Sequence, residues 1–303
     1  IIFFIIKIID FRQDFSFIFL IILFSSFIGL ISAKGHPDLE WYYLPYMNYL
    51  KDFKIIFGIA NVNDFLGYSQ TWNDIASTFQ IPILEYRLTN IVPAIFVISI
   101  VYSIINSAYK AKEVSLKIFI FIILIFIISK YYKIYEYGGH VPPILLAYLI
   151  NIYFYFLIME KIENKKTFVF KILFFLSFLF LLRINYIYTF PIIIYLILFY
   201  KRILYQILLD KRVLILLFFV LIIFFTKNII VSGCFYYPID FTCFSSNTLS
   251  WSVGNEYAKE RFDLVRALAK GWSAHILLDG NVNTIFDYLK PLKEGHILNP
   301  SEY

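Results

Sequence analysis

The stretch VLILLFFVLIIFFT, residues 213–226, carries no charge, and its flanks are Lys211-Arg212 on one side and Lys227 on the other. A helix needs about 20 mostly apolar residues to cross a bilayer core, and 213–230 approaches that length. The run IFIFIILIFIIS, residues 118–129, repeats the pattern. Working outward, full spans are expected over 15–33, 91–109, 115–130, 141–159, 167–184, 186–200 and 213–230. So many apolar runs exceed what one water-soluble domain can bury. The whole chain is 60% hydrophobic, against about 45–50% for ordinary proteins, and its mean hydropathy is +0.74. The expectation is an all-α integral membrane protein, a polytopic helical bundle of about seven spans. The 21% aromatic content accompanies abundant Ile, Lys and Asn, the mark of a low-GC genome rather than of a binding surface.

Charge placement orients the bundle. With residues 7–14 on the cytoplasmic side, every short inside connection is dense in Lys and Arg: Lys110, Lys112 and Lys117, then Lys161, Lys165 and Lys166, then Lys201, Arg202, Lys211 and Arg212. The outside connections are longer and poorer in cations, as the positive-inside rule requires. The basic pI near 9.0 therefore reflects topology and contact with anionic membrane lipids, not nucleic-acid binding. The expected location is a bacterial inner (cytoplasmic) membrane, multi-pass, with large loops in the periplasm. Residues 1–230 read as the transmembrane domain, with a periplasmic loop 34–90 inserted after the first full span. Residues 231–303 read as a periplasmic segment of mixed and helical character. The chain opens mid-stream on Ile1–Ile6, like half a helix, and stops at Tyr303 without a closing signal, so it reads as a fragment. No cleavable signal peptide is visible.

Within the first outside segment, 44–59 mixes apolar residues with Lys51, Asp52 and Lys54, as a helix in the membrane interface does. Within the second, Tyr257, Arg261, Leu264, Val265, Leu268 and Trp272 recur at helical spacing. Lys259, Glu260, Asp263 and Lys270 occupy the other face, predicting an amphipathic helix over 256–272. Cys234 and Cys243 lie together in this segment. A periplasm permits disulfides, so a bridge closing a short loop and two separate thiols are both open.

The stretch richest in chemistry follows the first span: Gly35-His36-Pro37-Asp38-Leu39-Glu40-Trp41-Tyr42-Tyr43-Leu44-Pro45. Two carboxylates two residues apart, beside a His, stand at the outer membrane surface. Partial burial raises a carboxylate's pKa, which suits a general base. The simpler reading makes Asp38 the cap of an interfacial helix, with Glu40 in its first turn. His36, Asp38 and Glu40 also form a donor set for a divalent cation. No further acid clusters with them, and no metal is assigned. Phosphate-loop, nucleophile-elbow and zinc-protease motifs are absent from the sequence.

A first span followed by a large outer loop that opens on an acidic motif resembles the GT-C class of membrane glycosyltransferases. More closely, the chain resembles a loosely characterised bacterial family of multi-spanning proteins from polysaccharide and envelope gene clusters. That family shows an Asp followed by Tyr-His-Leu-Pro; Asp38, Tyr42, Leu44 and Pro45 match, while Tyr43 stands at the His position. Phe57-Gly58-Ile59-Ala60-Asn61-Val62 resembles its Gly-Leu-Ala-Asn stretch, and Gly67-Tyr68-Ser69 its Gly-x-x-Ser. Ser232-Gly233-Cys234-Phe235-Tyr236-Tyr237-Pro238, with Thr242-Cys243 and Trp251, resembles its second outer motif. The resemblance implies a transferase that moves a sugar from a polyprenyl-phosphate carrier to a glycan or lipid acceptor on the outer face. Asp38 is then the candidate base and Glu40 the second candidate.

His36, Tyr42, Asn61, His140, Arg183 and Tyr237 are the candidate substrate-binding residues. Arg183 ends a span on the outer side, where a cation meets a phosphate leaving group; plain snorkelling explains it equally, as it does Lys133 and Lys227. His140, in Gly138-Gly139-His140, stands where the family often has an Asp, although a His at a helix entry is commonly a local hydrogen-bonding residue. Three alternatives remain: a transporter or flippase of lipid-linked glycans, a glycan polymerase, and a non-catalytic scaffold. The spans carry almost no midplane charge, and Pro191 is their main break. That argues against a transport path through the bilayer.

Overall fold

The computed structural model describes residues 17–35, 39–53, 55–68, 71–80, 89–136, 141–159, 164–182 and 184–268. Among them the regular structure is helical, and an isolated antiparallel bridge pairs Cys234 with Cys243. The chain forms two compact units. One comprises Ile1–Ile56 and Ser69–Phe224, the other Phe57–Tyr68 and Phe225–Tyr303.

The first unit is built on α1 (Phe17–Ile31), α2 (Leu44–Phe53), α3 (Thr71–Ser77), α4 (Ile91–Lys110), α5 (Val114–Ser129), α6 (Val141–Met159) and α7 (Lys165–Leu182). Long runs of Ile, Leu and Phe become helices because a helix satisfies every interior backbone group within the segment. The core face of α7 repeats every three or four residues: Val169, Ile172, Phe175 or Leu176, Leu179 and Leu182 are all buried. It packs on α6, whose Leu145, Leu149, Ile152 and Phe156 are likewise buried; α6 in turn meets α4 and α5, and α4 meets α1.

A small-residue ridge lets α4 pack tightly. Ser99, Ser103 and Ser107 are buried, and each hydroxyl donates one turn back, to the carbonyls of Ile95, Ser99 and Ser103 at 2.8, 2.9 and 2.7 Å. Their polar atoms are thereby satisfied, and the helix approaches its neighbours closely. The C-terminal half of α1 is tied down by aromatics. A methyl on Gly29 would overlap the Tyr135 ring. The Tyr135 hydroxyl donates to Ser26 Oγ at 2.8 Å, Tyr131 donates to the Ser25 carbonyl, and Asn90 Nδ2 donates to the Tyr135 carbonyl at 2.6 Å.

Among the described residues two helices, α4 and α10 (Lys211–Ser232), are long and apolar enough to cross a membrane. A third span is counted if α8 (Phe190–Phe199) and α9 (Lys201–Leu208), bent by 102°, form one broken span. Shorter apolar helices cover Phe19–Ile31, Val114–Ser129 and Pro143–Met159. The segment expected as a span over 186–200 is divided. Ile184–Thr189 is a 3₁₀ stretch, and the ten residues of α8 rise only about 15 Å, half of a bilayer core.

The most apolar 18-residue window of α4 is 61% buried, that of α10 only 11%. So α4 is a core helix of its bundle, whereas α10 directs Leu214, Ile215, Phe218, Phe219 and Ile222 outward. On α5, Ile118, Phe121, Ile122, Ile125 and Ile128 are exposed in the same way. Ridges of this kind are an association liability in water and ordinary in lipid.

In the second unit the described residues include the last turns of α10 and run to α11 (Asn255–Leu268). Residues 57–68, from the connection between α2 and α3, fold with it. The Gly58 amide donates to the Ile230 carbonyl at 2.8 Å, and the Phe57 and Trp251 rings meet edge to face at 5.0 Å. Trp251 Nε1 donates to the Ile229 carbonyl at 3.1 Å. Gly58 has φ 68°, a left-handed conformation, and a methyl on it would lie 2.7 Å from the Trp251 carbonyl oxygen, so glycine is required twice over.

Candidate functional site

The acidic stretch after α1 is only partly visible. His36 and Asp38 lie outside the described residues, as do His140 and Arg183. Glu40 is exposed and belongs to a π-helical turn, Leu39–Tyr43, that runs straight into α2. Single π turns occur frequently at functional sites because they displace side chains from regular helical register. Leu39 and Tyr43 in this turn, Met47 on α2 and Ala76 on α3 form a buried cluster. Tyr42 packs beside it, its ring 4.2 Å from that of Tyr43 and its hydroxyl donating to the Tyr43 hydroxyl at 3.1 Å. The turn therefore holds Tyr42 and Tyr43 against the cluster and leaves Glu40 exposed.

A second carboxylate stands in this region. Asp74, in the first turn of α3, accepts from the Tyr46 hydroxyl through Oδ1 at 2.6 Å. Burial raises the Tyr46 pKa well above its usual value, and the adjacent Asp74 charge adds to the effect. Asn48 Oδ1 accepts from Gln80 Nε2 at 2.6 Å. Two hydrogen bonds thus clamp the α2–α3 pair beside the Glu40 turn. Sequence reasoning missed Tyr46 and Asp74, which stand 28 residues apart in a segment whose only legible signal was amphipathic spacing.

In the second unit the structure joins Cys234 to Cys243 at an S–S distance of 2.05 Å. The enclosed loop is held by Phe235 N to the Thr242 carbonyl at 3.0 Å and by the Thr242 hydroxyl to the Tyr236 carbonyl at 2.8 Å. The Tyr237–Pro238 peptide is cis. Asn61 is committed locally: its Nδ2 donates to the carbonyls of Gly58 and Trp251 at 3.1 and 2.8 Å. Its amide is a tether between two segments of the unit.

Tyr237 is 2% exposed, and its ring stands 5.3 Å from that of Tyr68. Asp64 and Arg261 pair at 3.3 Å, with side chains 16% and 25% exposed, and the Arg261 guanidinium lies 4.9 Å above the Tyr257 ring. Burial pushes Tyr236 up to about 12 and raises Tyr68 and Tyr237 further. Burial works against the Arg261 charge, but Asp64, Tyr257 and Glu260 outweigh it and raise its pKa. Sequence reasoning set Arg261 among apolar residues on one face of a helix; a cation at such a position signals a buried partner, here Asp64.

Among the described residues no group of three or more His, Cys, Asp or Glu side chains converges on one point. The expected donor set of His36, Asp38 and Glu40 lies there only through Glu40.

What the described residues define is a helical protein with two or three helices long and apolar enough to cross a membrane, carrying a small disulfide-closed loop. The chain belongs to the family described as Domain of unknown function (DUF8201), which it matches over residues 1–286. No curated protein and no solved structure matches it.

Proposed function

We propose that this protein is a membrane glycosyltransferase of the GT-C type, moving a sugar from a polyprenyl-phosphate carrier to a glycan or lipid acceptor on the outer face of a bacterial inner membrane. The observation that carries the reading is the Glu40 turn: a π turn that follows the first apolar helix and points a carboxylate outward from an otherwise buried aromatic cluster. In this account Asp38 takes the proton of the acceptor hydroxyl, which attacks the anomeric carbon while the carrier phosphate departs. Glu40 supports the acceptor from the neighbouring turn. A cation stabilises the leaving phosphate, and Arg183 is the side chain assigned to it, with His36, Tyr42 and His140 as further substrate contacts. The seven-span, periplasm-facing topology belongs to this proposal, and so does the resemblance to proteins of polysaccharide and envelope gene clusters.

The test is transfer in proteoliposomes of the full-length protein, with a radiolabelled polyprenyl-phosphate sugar and host lipid extract as acceptor. Transfer by wild type and its loss, by about 10²-fold or more, in Asp38→Asn supports the proposal. Equal transfer by both proteins removes Asp38 as the base.

One observation favours a second reading. The 102° bend between α8 and α9 is of the kind that transporters of lipid-linked glycans use at their binding sites. The break, however, falls at Lys201-Arg202, charges that belong at a membrane surface, so the transferase reading ranks first.

A further inference from the structure

The 102° bend between α8 and α9 falls where the sequence changes character. Before it, Ile194, Ile197 and Leu198 of α8 are exposed and apolar; beyond α9, Leu214 and Ile215 of α10 are exposed in the same way. Between these two outward apolar runs stand Lys201 and Arg202 at the start of α9, and Lys211 and Arg212 just past its end, all four exposed. One side of α9 is fastened to the first unit. Ile207 is buried in the main core, Ile203 one turn earlier packs against that core, and the helix lies on α7. Tyr200, at the bend, donates through its hydroxyl to the Leu157 carbonyl of α6 at 3.1 Å. Nζ of Lys165, the first residue of α7, stands 5.8 Å from the Tyr200 ring centroid, which brings the exposed Lys165 and Lys166 to the same end of the bundle. Six cations therefore meet there. Among the described residues the acid beside them is Asp210, whose Oδ1 accepts from the Arg212 amide at 3.0 Å.

The other side of α9 selects the partner. Tyr205 and Leu209 are 65% and 61% exposed, and Leu208 is exposed beside them. A soluble polyanion would meet the cations and leave these apolar side chains in water. A phospholipid surface meets both: its phosphates reach the Lys and Arg side chains, Tyr205 rests at headgroup level, and the Leu side chains enter the acyl boundary. The exposed apolar residues of α8 and α10 continue from that level into the hydrocarbon. With α8 entering the bilayer, a helix turned 102° from it lies close to the membrane plane.

We infer that α9, with Lys165, Lys166, Lys201, Arg202, Lys211 and Arg212, is an in-plane docking surface for the headgroups of anionic phospholipids. The bend is then an elbow at the membrane surface. The inference goes beyond the transferase reading and takes nothing from it.

The experiment places the full-length protein in vesicles with a fluorophore on Gln206→Cys, an exposed position of α9. Cys234 and Cys243 are joined in a disulfide and take no label. The quencher is phosphatidylglycerol or phosphatidylcholine carrying a spin probe near the headgroup. Phosphatidylglycerol is expected to quench with a preference of about fivefold or more, the effect of at least one cation at a membrane surface. Lys201→Gln combined with Arg202→Gln lowers that preference about fivefold. Lys211→Gln combined with Arg212→Gln does the same, so either pair suffices if the other fails to insert. A label on Ile128→Cys, exposed near the C-terminal end of α5, shows no such preference. The inference is overturned if both lipids quench Gln206→Cys equally, if Ile128→Cys shows the same preference, or if the inserted variants quench like wild type. It is also overturned if neither lipid reaches the label and a soluble polyglutamate peptide shifts its emission instead, which would assign the surface to an acidic protein. Sugar transfer is not read here, so this test and that of the transferase reading fail separately.

Discussion

Two glycines of the second unit have nearly the same backbone conformation and opposite surroundings. Gly233 has φ 73° and Gly254 φ 80°, so an alanine at either enters the left-handed region at a cost of about 1–2 kcal/mol. At Gly254 a methyl meets nothing within 4 Å, whereas at Gly233 it overlaps Ser252, with the hydroxyl oxygen at 2.6 Å. Ser252 cannot simply move aside, because its hydroxyl donates to the Phe244 carbonyl at 2.6 Å and accepts from the Gly254 amide at 3.2 Å. Forcing a methyl into such a contact adds about 1–3 kcal/mol. Gly254→Ala is therefore expected to cost about 1–2 kcal/mol and Gly233→Ala about 2–5 kcal/mol. The assay is tryptophan fluorescence during denaturant unfolding of the full-length protein in mild detergent. Trp251 reports on this unit because its Nε1 is bonded to the Ile229 carbonyl. Equal losses in the two variants would refute the steric argument, and no loss in either would refute the backbone geometry of both turns.

Reducing the Cys234–Cys243 bridge, which closes a sequence separation of nine, should cost about 2–3 kcal/mol by loop entropy. Unfolding with and without reductant measures it. Tyr46→Phe removes a 2.6 Å bond to Asp74 and should lower stability by about 1–3 kcal/mol, read as earlier thermal unfolding and faster proteolysis between α2 and α3. Burial holds the pKa values of Tyr68, Tyr236 and Tyr237 above the usual tyrosine value in the folded state. The folded state thus holds their protons more tightly, so stability is flat below pH 10 and falls as pH rises through the folded values. Tyrosinate absorbance followed alongside unfolding checks this; a stability constant to pH 12 would contradict it.

Much of the helical plan is legible in the sequence, for a local reason. The charge-free runs around 91–109 and 213–230 coincide with α4 and α10, because a long apolar run has no other way to satisfy its backbone. The spacing of Tyr257, Arg261 and Leu264 likewise announces α11, and the mixed stretch after Leu44 announces α2. Hydropathy is blind to direction, however. The residues of 186–200 carry no charge, so composition suggested one span, yet Ile184–Thr189 forms a 3₁₀ stretch and α8 covers only Phe190–Phe199. What brings residues 57–68 beside Trp251 is nonlocal: Gly58 hydrogen-bonds to Ile230, and Asn61 to Trp251. The same holds for the Asp64–Arg261 pair, whose members carry no mutual signal along the chain. Of the candidate residues, Glu40 and Tyr42 share one compact motif that the sequence displays directly. Tyr46 and Asp74 become partners only once α2 and α3 have packed.

The central claim is transferase chemistry at the acidic stretch after α1, and surface glycan tests it most directly. The complete gene would be deleted from its host and complemented with wild type, Asp38→Asn or Glu40→Gln, with membrane levels matched by blot and glycans resolved on a gel. The account predicts an altered glycan restored by wild type, not restored by Asp38→Asn and partly restored by Glu40→Gln. Full restoration by an equally abundant Asp38→Asn would contradict it and leave Asp38 as the cap of the turn that precedes α2.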